Sequence, residues 1–130
     1  MELIEFASIC AERWKEKTLQ EFRAEAMSKD SGIIYDAMRQ KDGQRALLLV
    51  CTTGTTALEE LERKIDLGNE GDPADWRKLT LVELVMRSTT AGGLCYESLL
   101  GEDGKRSAII LCASTPEMAI IIGDLFSLPR

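Results

Sequence analysis

Two cysteines in this sequence stand where a thiol can become reactive. Cys51 and Cys112 each end an apolar run and are followed by hydroxyl side chains, in the stretches CTTGTT and CASTPE. If a helix begins there, its first N–H groups lower the pKa of a nearby thiol and can hold an anion. The candidate ligand-binding residues are Cys51, Thr53, Thr55, Cys112, Ser114 and Thr115. One interpretation is therefore a small-ligand-binding protein or a thiol-dependent enzyme that uses Cys51 or Cys112.

The composition lacks the residue type that usually assists thiol chemistry. None of the 130 residues is histidine, so a Cys-His or Ser-His pair cannot form within this chain. The commonest general base and the commonest transition-metal ligand are both missing. Hydroxyl residues before a helix are usually caps rather than ligands. The sequence therefore predicts no metal and no cofactor, and it favours a protein that is not an enzyme.

The segments that would position these residues occur twice in the sequence. WKEKTLQEF from Trp14 resembles WRKLTLVEL from Trp76, and GIIYDAMRQKDGQRALLLVCTT from Gly32 aligns with GLCYESLLGEDGKRSAIILCAS from Gly93. The offset is 62 residues in the first match and 61 in the second. This order predicts a tandem duplication within a single domain spanning residues 1–130. The repeats cover approximately residues 14–66 and 76–127, and residues 1–13 form an N-terminal helical extension.

Each repeat contains a hairpin pattern. Asp42-Gly43 and Asp103-Gly104 predict two-residue type I′ turns. The apolar runs over 45–52 and 106–113 predict central strands, and the more polar arms over 33–40 and 94–101 predict edge strands. Thr56 with Glu59, and Ser114 with Glu117, predict capping boxes for the helices that follow. The expected fold is α+β: a tandem αββα duplication that forms a four-stranded antiparallel sheet packed by helices.

One segment allows a different topology. LTLVELVM, over residues 79–86, is rich in aliphatic and β-branched residues and could be a strand. The chain would then run α-ββ-α-βββ-α. That order resembles the roadblock/longin topology of small dimeric regulators of GTPases. It is the alternative fold.

Pairs of residues repeated in the two halves suggest either function or packing. Asp36 with Glu97, and Arg45 with Arg106, are either paired functional groups or edge-strand charges that pair locally. Counting outwards from the second turn places Cys95 opposite Cys112 in a non-hydrogen-bonded pair, as two buried thiols or a redox switch. The predicted core comprises Trp14, Phe22, Leu48, Val50, Leu58, Leu61, Trp76, Leu81, Ile109, Leu111, Ile121 and Phe126.

The last helix carries the functional prediction. EMAIIIGDLF is apolar almost all round, more than one core face needs. The predicted interface residues are Ile120, Ile121, Ile122 and Phe126, and a twofold homodimer is the default partner arrangement. We expect a non-catalytic protein-binding adaptor, chaperone-like protein or regulatory subunit, which acts as a homodimer and binds another protein.

Charge and cysteine usage bound its surroundings. The net charge of −6 disfavours nucleic-acid binding, and no apolar run is long enough to cross a membrane. The four cysteines lack CxxC spacing, and the start of the sequence lacks a basic signal region. The expected localisation of this acidic protein is the cytoplasm, with neither nucleic acid nor membrane as a partner.

Overall fold

Two antiparallel hairpins form one four-stranded sheet with helices on both faces. The computed structural model describes residues 12, 14–64 and 75–128. The order across the sheet is β1-β2-β4-β3, so the two apolar strands are central, as predicted. The elements are α1 (Leu19–Met27), β1 (Ile33–Arg39), β2 (Arg45–Thr53), α2 (Thr55–Lys64), a 3₁₀ turn (Trp76–Lys78), α3 (Leu81–Thr90), β3 (Leu94–Leu100), β4 (Arg106–Ala113) and α4 (Pro116–Leu125).

The central strands meet in a register that matches the sequence repeat. Val50 lies opposite Leu111 in the antiparallel β2–β4 pair, and these two residues correspond at the offset of 61. Corresponding residues of the two hairpins are therefore related by an approximate twofold axis between Val50 and Leu111. The α+β class and the four-stranded antiparallel sheet are confirmed, whereas the origin of the halves by duplication stays a prediction.

The sheet separates two apolar layers. Trp14, Phe22 and Trp76 pack with α1 and α3 on one face, against alternate residues of β2 and β4 such as Cys51 and Cys112. On the other face, α2 and α4 pack against the intervening residues, among them Val50, Leu111 and Ile122. Residues covered on both sides must be apolar in succession, which explains the continuous runs of the central strands.

The helix phase of α4 differs from the predicted core. Ile121 is 57% exposed and Phe126 is only partly buried, whereas Ala119 and Ile122 are buried. A helix that buries positions 119, 122 and 126 follows the i, i+3, i+7 spacing of one face, and Ile121 then points away from the sheet. The other ten predicted core residues are buried.

The repeated tryptophan segments pair with each other at the twofold axis. Thr18 and Thr80 form an isolated antiparallel bridge, in which Leu19 N donates to the Leu79 carbonyl and Leu81 N to the Lys17 carbonyl, both at 2.8 Å. Each threonine also begins a helix with a capping box. Since residues 81–90 are helical, the βββ alternative for the second half is wrong.

The hairpin turns differ in type from the prediction. Gln40 N donates to the Gln44 carbonyl and Gly101 N to the Lys105 carbonyl, so each loop has three residues. Gly43 and Gly104 have φ of 86° and 78°, whereas Asp42 and Asp103 are not among the residues with positive φ, as a type I′ turn would require. A bulge follows in each hairpin and offsets the additional loop residue, so the predicted pairing of β3 with β4 still holds.

Two predicted caps are also displaced. Helix α2 begins at Thr55, so Thr56 lies inside the helix and Gly54 precedes it. Helix α4 begins one residue later than expected, since Thr115 accepts from Met118 N at 3.2 Å and Pro116 occupies the first turn. Ser114 is therefore not the cap.

Two predicted regions fall outside the description. The N-terminal extension over 1–13 lies outside the described residues except for Glu12, and so do residues 65–66 at the end of the first repeat. Within the described part, no helix has the length and apolarity needed to cross a membrane.

Candidate functional site

The two candidate thiol sites lie at different ends of the sheet. In the β2–β4 register Thr53 pairs with Ala108, whereas Ala113 pairs with Leu48 five positions away. At about 3.4 Å per residue, the starts of α2 and α4 are separated by roughly 17 Å along the strands. The structure therefore does not bring the Thr53–Thr55 and Ser114–Thr115 hydroxyls into one site.

The thiol of Cys51 is buried away from the helix that was expected to activate it. Cys51 and Cys112 face the α1/α3 layer, whereas α2 and α4 pack on the opposite face. Burial raises the pKa of Cys51 from its ordinary value of 9.0 to about 12, and the nearby Arg23 only partly offsets this. This is the direction opposite to the one that makes a thiol nucleophilic.

Three of the four candidate hydroxyls, those of Thr53, Ser114 and Thr115, form structural hydrogen bonds. Thr53 Oγ1 donates to the Gly32 carbonyl at 3.1 Å, and Thr115 caps α4. Ser88 Oγ donates to the Cys112 carbonyl at 3.1 Å and lies 2.8 Å from the Ser114 Oγ, inside the protein. Thr55 is exposed as the first residue of α2. These bonds tie loops and helices to the sheet rather than converging on a ligand.

Cys95 lies opposite Cys112, as the turn count predicted, but in the other class of pair. Ser114 N donates to the Gly93 carbonyl at 2.8 Å, and hydrogen-bonded pairs recur at every second residue of an antiparallel ladder. Cys95 and Cys112 therefore form a hydrogen-bonded pair, with Cα atoms about 5.5 Å apart. Burial, followed by Glu97, raises the pKa of Cys95 to about 12. The three cysteines in the described part are thiols.

The repeated acids have different partners in the two halves. Trp14 Nε1 donates to Asp36 Oδ2 at 2.7 Å. Glu97 instead forms an ion pair with Arg87 on α3. Both acids therefore anchor a helical segment to an edge strand, which agrees with the local-pairing interpretation rather than with paired functional groups.

The repeated arginines reveal a site that the sequence alone did not indicate. Arg106 donates from Nε to Ser98 Oγ at 2.6 Å and from Nη1 to Glu62 Oε1 at 2.7 Å. At the corresponding place beside Arg45, Gly123 stands where Glu62 would be. A Cβ there would lie only 2.8 Å from Arg45 Nη1. The available signal was the alignment of Glu62 with Gly123 at the offset of 61.

A surface cavity of about 350 Å³ lies beside Arg45. The β1–β2 turn and the outer side of α4 form its walls. Arg45 is 5% exposed and lies 5.5 Å from the ring centre of Tyr35 on the neighbouring strand. The lining residues are Arg39, Asp42, Gly43, Gln44, Arg45, Ile120 and Asp124.

The predicted interface residues separate into two groups. Ile122 is 2% exposed and packs in the chain's own core, and Phe126 packs partly against the same cluster. Ile120 is half-buried at the cavity, and Ile121 is exposed. Ile121 therefore offers the largest apolar surface to a partner, the half-buried Ile120 and Phe126 offer less, and Ile122 offers almost none.

Within the described ranges, no group of three or more metal-ligating side chains comes together. In comparisons with known proteins, no family model, no curated protein and no solved structure matches this chain.

Proposed function

We propose that this chain is a non-catalytic protein-binding domain that forms a homodimer through α4. The observation that carries the proposal is the exposure of Ile121, 57% of which is accessible to solvent, beside the half-buried Ile120. Helix α4 has already buried Ala119 and Ile122 against the sheet, so its apolar content exceeds what one core face needs.

A second copy is the simplest occupant of this surface. A twofold interface uses the same patch on both chains, and an isoleucine pair on facing helices satisfies that requirement. Tyr35 is 42% exposed on the same side of the sheet and extends the apolar surface towards β1. In this proposal the dimer presents its remaining surfaces to another protein, as an adaptor, chaperone-like protein or regulatory subunit of the cytoplasm.

The thiol-enzyme interpretation receives less support from the same geometry. Cys51 is fully buried, its pKa is raised to about 12, and the Thr53 hydroxyl expected beside it donates to a backbone carbonyl. We expect Cys51 of the native protein to react with iodoacetamide at pH 8 only as fast as the protein opens. Rapid alkylation of Cys51 in the folded state would revive the enzyme interpretation.

The dimer is tested by light scattering of the chromatographed protein at micromolar concentration. The wild type should have twice the mass of the chain, and Ile121→Asp should shift it towards the monomer because a buried carboxylate is costly. Met86→Asp is the matched control, since Met86 is 49% exposed on α3 at the opposite face. A monomeric wild type would reject the homodimer.

The choice of position 121 separates assembly from folding. Ile122→Asp should unfold the protein, since Ile122 lies in the core of the single chain. Circular dichroism of Ile121→Asp should be unchanged. If its spectrum and mass both match the wild-type dimer, α4 is not the interface.

A further inference from the structure

Two arginines beside Trp76 form a part of the surface that neither the core nor the α4 dimer explains. The Cζ atom of Arg23 on α1 lies 5.2 Å from the ring centre of Trp76, and that of Arg77 on the 3₁₀ turn lies 4.8 Å from it. Both distances are those of a cation held over an aromatic face. Two guanidinium groups from different segments of the chain are therefore fixed around one indole.

Both arginines are open to a partner. Arg77 is exposed and Arg23 is partly exposed. Within residues 12, 14–64 and 75–128, neither forms an ion pair with a carboxylate, whereas the neighbouring Lys78 pairs with Asp75 at 3.1 Å. The positive charges of Arg23 and Arg77 are therefore not neutralised by a described carboxylate.

Arg23 departs from the sequence repeat in a way that packing does not explain. At the offset of 62 the corresponding residue is Val85, which is fully buried in the α1/α3 layer. The Nε of Arg23 is also buried, and no described residue accepts a hydrogen bond from it. A buried donor without an acceptor is destabilising, so stability alone favours an apolar residue at position 23. What Arg23 adds is a charged end at the surface, since an arginine can bury its stem while its guanidinium reaches solvent.

An apolar side chain extends this surface. Met27 follows Arg23 by one helical turn, so the two lie on the same side of α1, and Met27 is 59% exposed. Arginine and methionine are both enriched at protein interfaces. Arg23, Met27 and Arg77, called the arginine surface below, thus combine two unneutralised cations with one flexible apolar side chain.

The charge of the whole chain limits which anion this surface accepts. A nucleic acid brings a continuous row of phosphates, which a chain of net charge −6 repels and which two guanidinium groups hardly neutralise. An acidic peptide brings only a few carboxylates, with apolar side chains between them. Planar guanidinium groups match the two oxygens of a carboxylate, and Met27 offers the contact for an apolar side chain.

We propose that the arginine surface binds an acidic segment of a partner protein. Two carboxylates of the segment bond to Arg23 and Arg77, and an apolar side chain beside them packs on Met27. This inference rests on the proposed role in binding another protein, but not on the homodimer. Trp76 and α1 belong to the layer opposite to α4, so a dimer formed through α4 leaves the arginine surface accessible.

The probe is a ten-residue peptide with four glutamates around one leucine and serine elsewhere, titrated to about 5 mM into ¹⁵N-labelled protein in about 50 mM salt. It should shift the indole N–H signal of Trp76 and the amide signals of Met27 and Arg77 in a saturable manner. The indole signal of Trp14, which is bonded to Asp36, is the internal reference and should not move.

Three comparison probes test the chemistry of the segment. The peptide with glutamine for each glutamate should bind at least about tenfold more weakly, because it lacks the charge-assisted bonds. The peptide with serine for leucine should also bind more weakly, because it buries less apolar area. A single-stranded oligonucleotide with four phosphates should bind more weakly than the acidic peptide. If the acidic peptide gives no saturable shift, or if any of the three binds as tightly as it does, the proposal is overturned.

Variants locate the surface. Arg77→Gln and Arg23→Met should each weaken binding by about tenfold or more, and Arg23→Met keeps an apolar stem while it removes the unpaired Nε. The control is Arg63→Gln on α2, which removes an equal charge from an exposed position in the opposite layer and should bind as the wild type does. Thermal unfolding verifies that each variant is folded.

Unchanged affinity in both folded arginine variants would overturn the assignment of the surface. Light scattering of the same samples decides the homodimer separately. A monomer that binds the acidic peptide rejects only the dimer, whereas a dimer that does not bind it rejects only the arginine surface.

Discussion

The two hairpins share a common backbone arrangement, called the frame below, but they differ in the side chains that surround the repeated arginine. Arg106, in the β3–β4 hairpin, is held by the Ser98 hydroxyl and the Glu62 carboxylate. At the corresponding positions around Arg45 stand Ala37 on β1 and Gly123 on α4, and a cavity lies beside Arg45. The arginine is thus repeated, whereas its two partners are not.

This difference shows which repeated residues the common backbone of the two halves requires. The turn glycines, the bulges and the Thr18 and Thr80 caps recur because the backbone of both halves requires them. Departures from the repeat at positions 37 and 123 leave the backbone intact and change the surface. Function is therefore better sought where the halves diverge than where they agree.

The largest expected effect comes from core substitutions, which test whether the two halves contribute equally to the free energy of unfolding. Leu48 and Ile109 correspond at the offset of 61, and both are fully buried beneath α2 and α4. Leu48→Ala and Ile109→Ala should each lower the free energy of unfolding by about 2 to 5 kcal/mol, through lost burial and the cavity left behind. Urea denaturation measures both.

The control for this pair is Ile121→Ala, which removes an exposed side chain from the same layer. It should change the free energy of unfolding of the monomeric unit far less than either core substitution. If one core variant loses most of its stability and the other almost none, the two halves do not contribute equally to the free energy of unfolding.

The frame was predictable because its signals are local and strong. The apolar runs of β2 and β4 gave the central strands, since residues covered on both faces cannot alternate with polar ones. The predicted pairing of Cys95 with Cys112 is also confirmed, although the sequence indicates neither the three-residue loop nor the bulge. Those two deviations shift the register by one residue in opposite directions and cancel.

The candidate site was less predictable, because it depends on which face a side chain occupies. Cys51 precedes α2 in the sequence, yet the strand alternation turns its thiol to the α1/α3 layer. The phase of α4 decides between Ile121 and Ile122, and an almost wholly apolar helix gives no sequence signal for that phase. The cavity depends on Gly123 lying against Arg45, a contact between distant segments.

The repeated helix caps give the next largest effect. Thr18 accepts from Glu21 N at 3.1 Å, and Thr80 accepts from Glu83 N at 3.3 Å. Thr18→Ala and Thr80→Ala should each cost about 1 kcal/mol, because each leaves N-terminal N–H groups of a helix without their acceptor. Chemical denaturation should give similar losses for both.

Thr56→Ala is the matched control for the caps. Thr56 is exposed inside α2, where alanine is the better helix former, so this change should not destabilise the protein. A loss equal to that of the cap variants would restore Thr56 as the cap of α2.

Replacing Thr52 with valine should raise the free energy of unfolding, whereas the substitutions above lower it, and the corresponding position in the other half has no such hydroxyl. Its side chain is fully buried, and no described residue provides a hydrogen bond to its Oγ1. The corresponding residue is Ala113. Thr52→Val keeps the branched shape, removes the buried hydroxyl, and should raise the free energy of unfolding by about 1 kcal/mol. Thr52→Ser, which keeps the hydroxyl and loses a methyl group, should be destabilising, and an unchanged or lower midpoint for Thr52→Val would reveal a partner for this hydroxyl.

The smallest expected effect concerns the ion pair between Arg106 and Glu62, which is not repeated in the other half. The Arg106 and Glu62 side chains are 21% and 46% exposed, so solvent screens their ion pair. Glu62→Gln should cost only about 0.5 kcal/mol, and the loss should shrink as salt is raised from low ionic strength to about 1 M. Glu60→Gln on the same helix removes an equal charge from an exposed position without touching this bond, and should leave stability nearly unchanged. An equal loss for the two variants would mean that the charge of α2, not the bond to Arg106, is what the protein uses. The carboxylate would then contribute little to the stability of the β3–β4 hairpin.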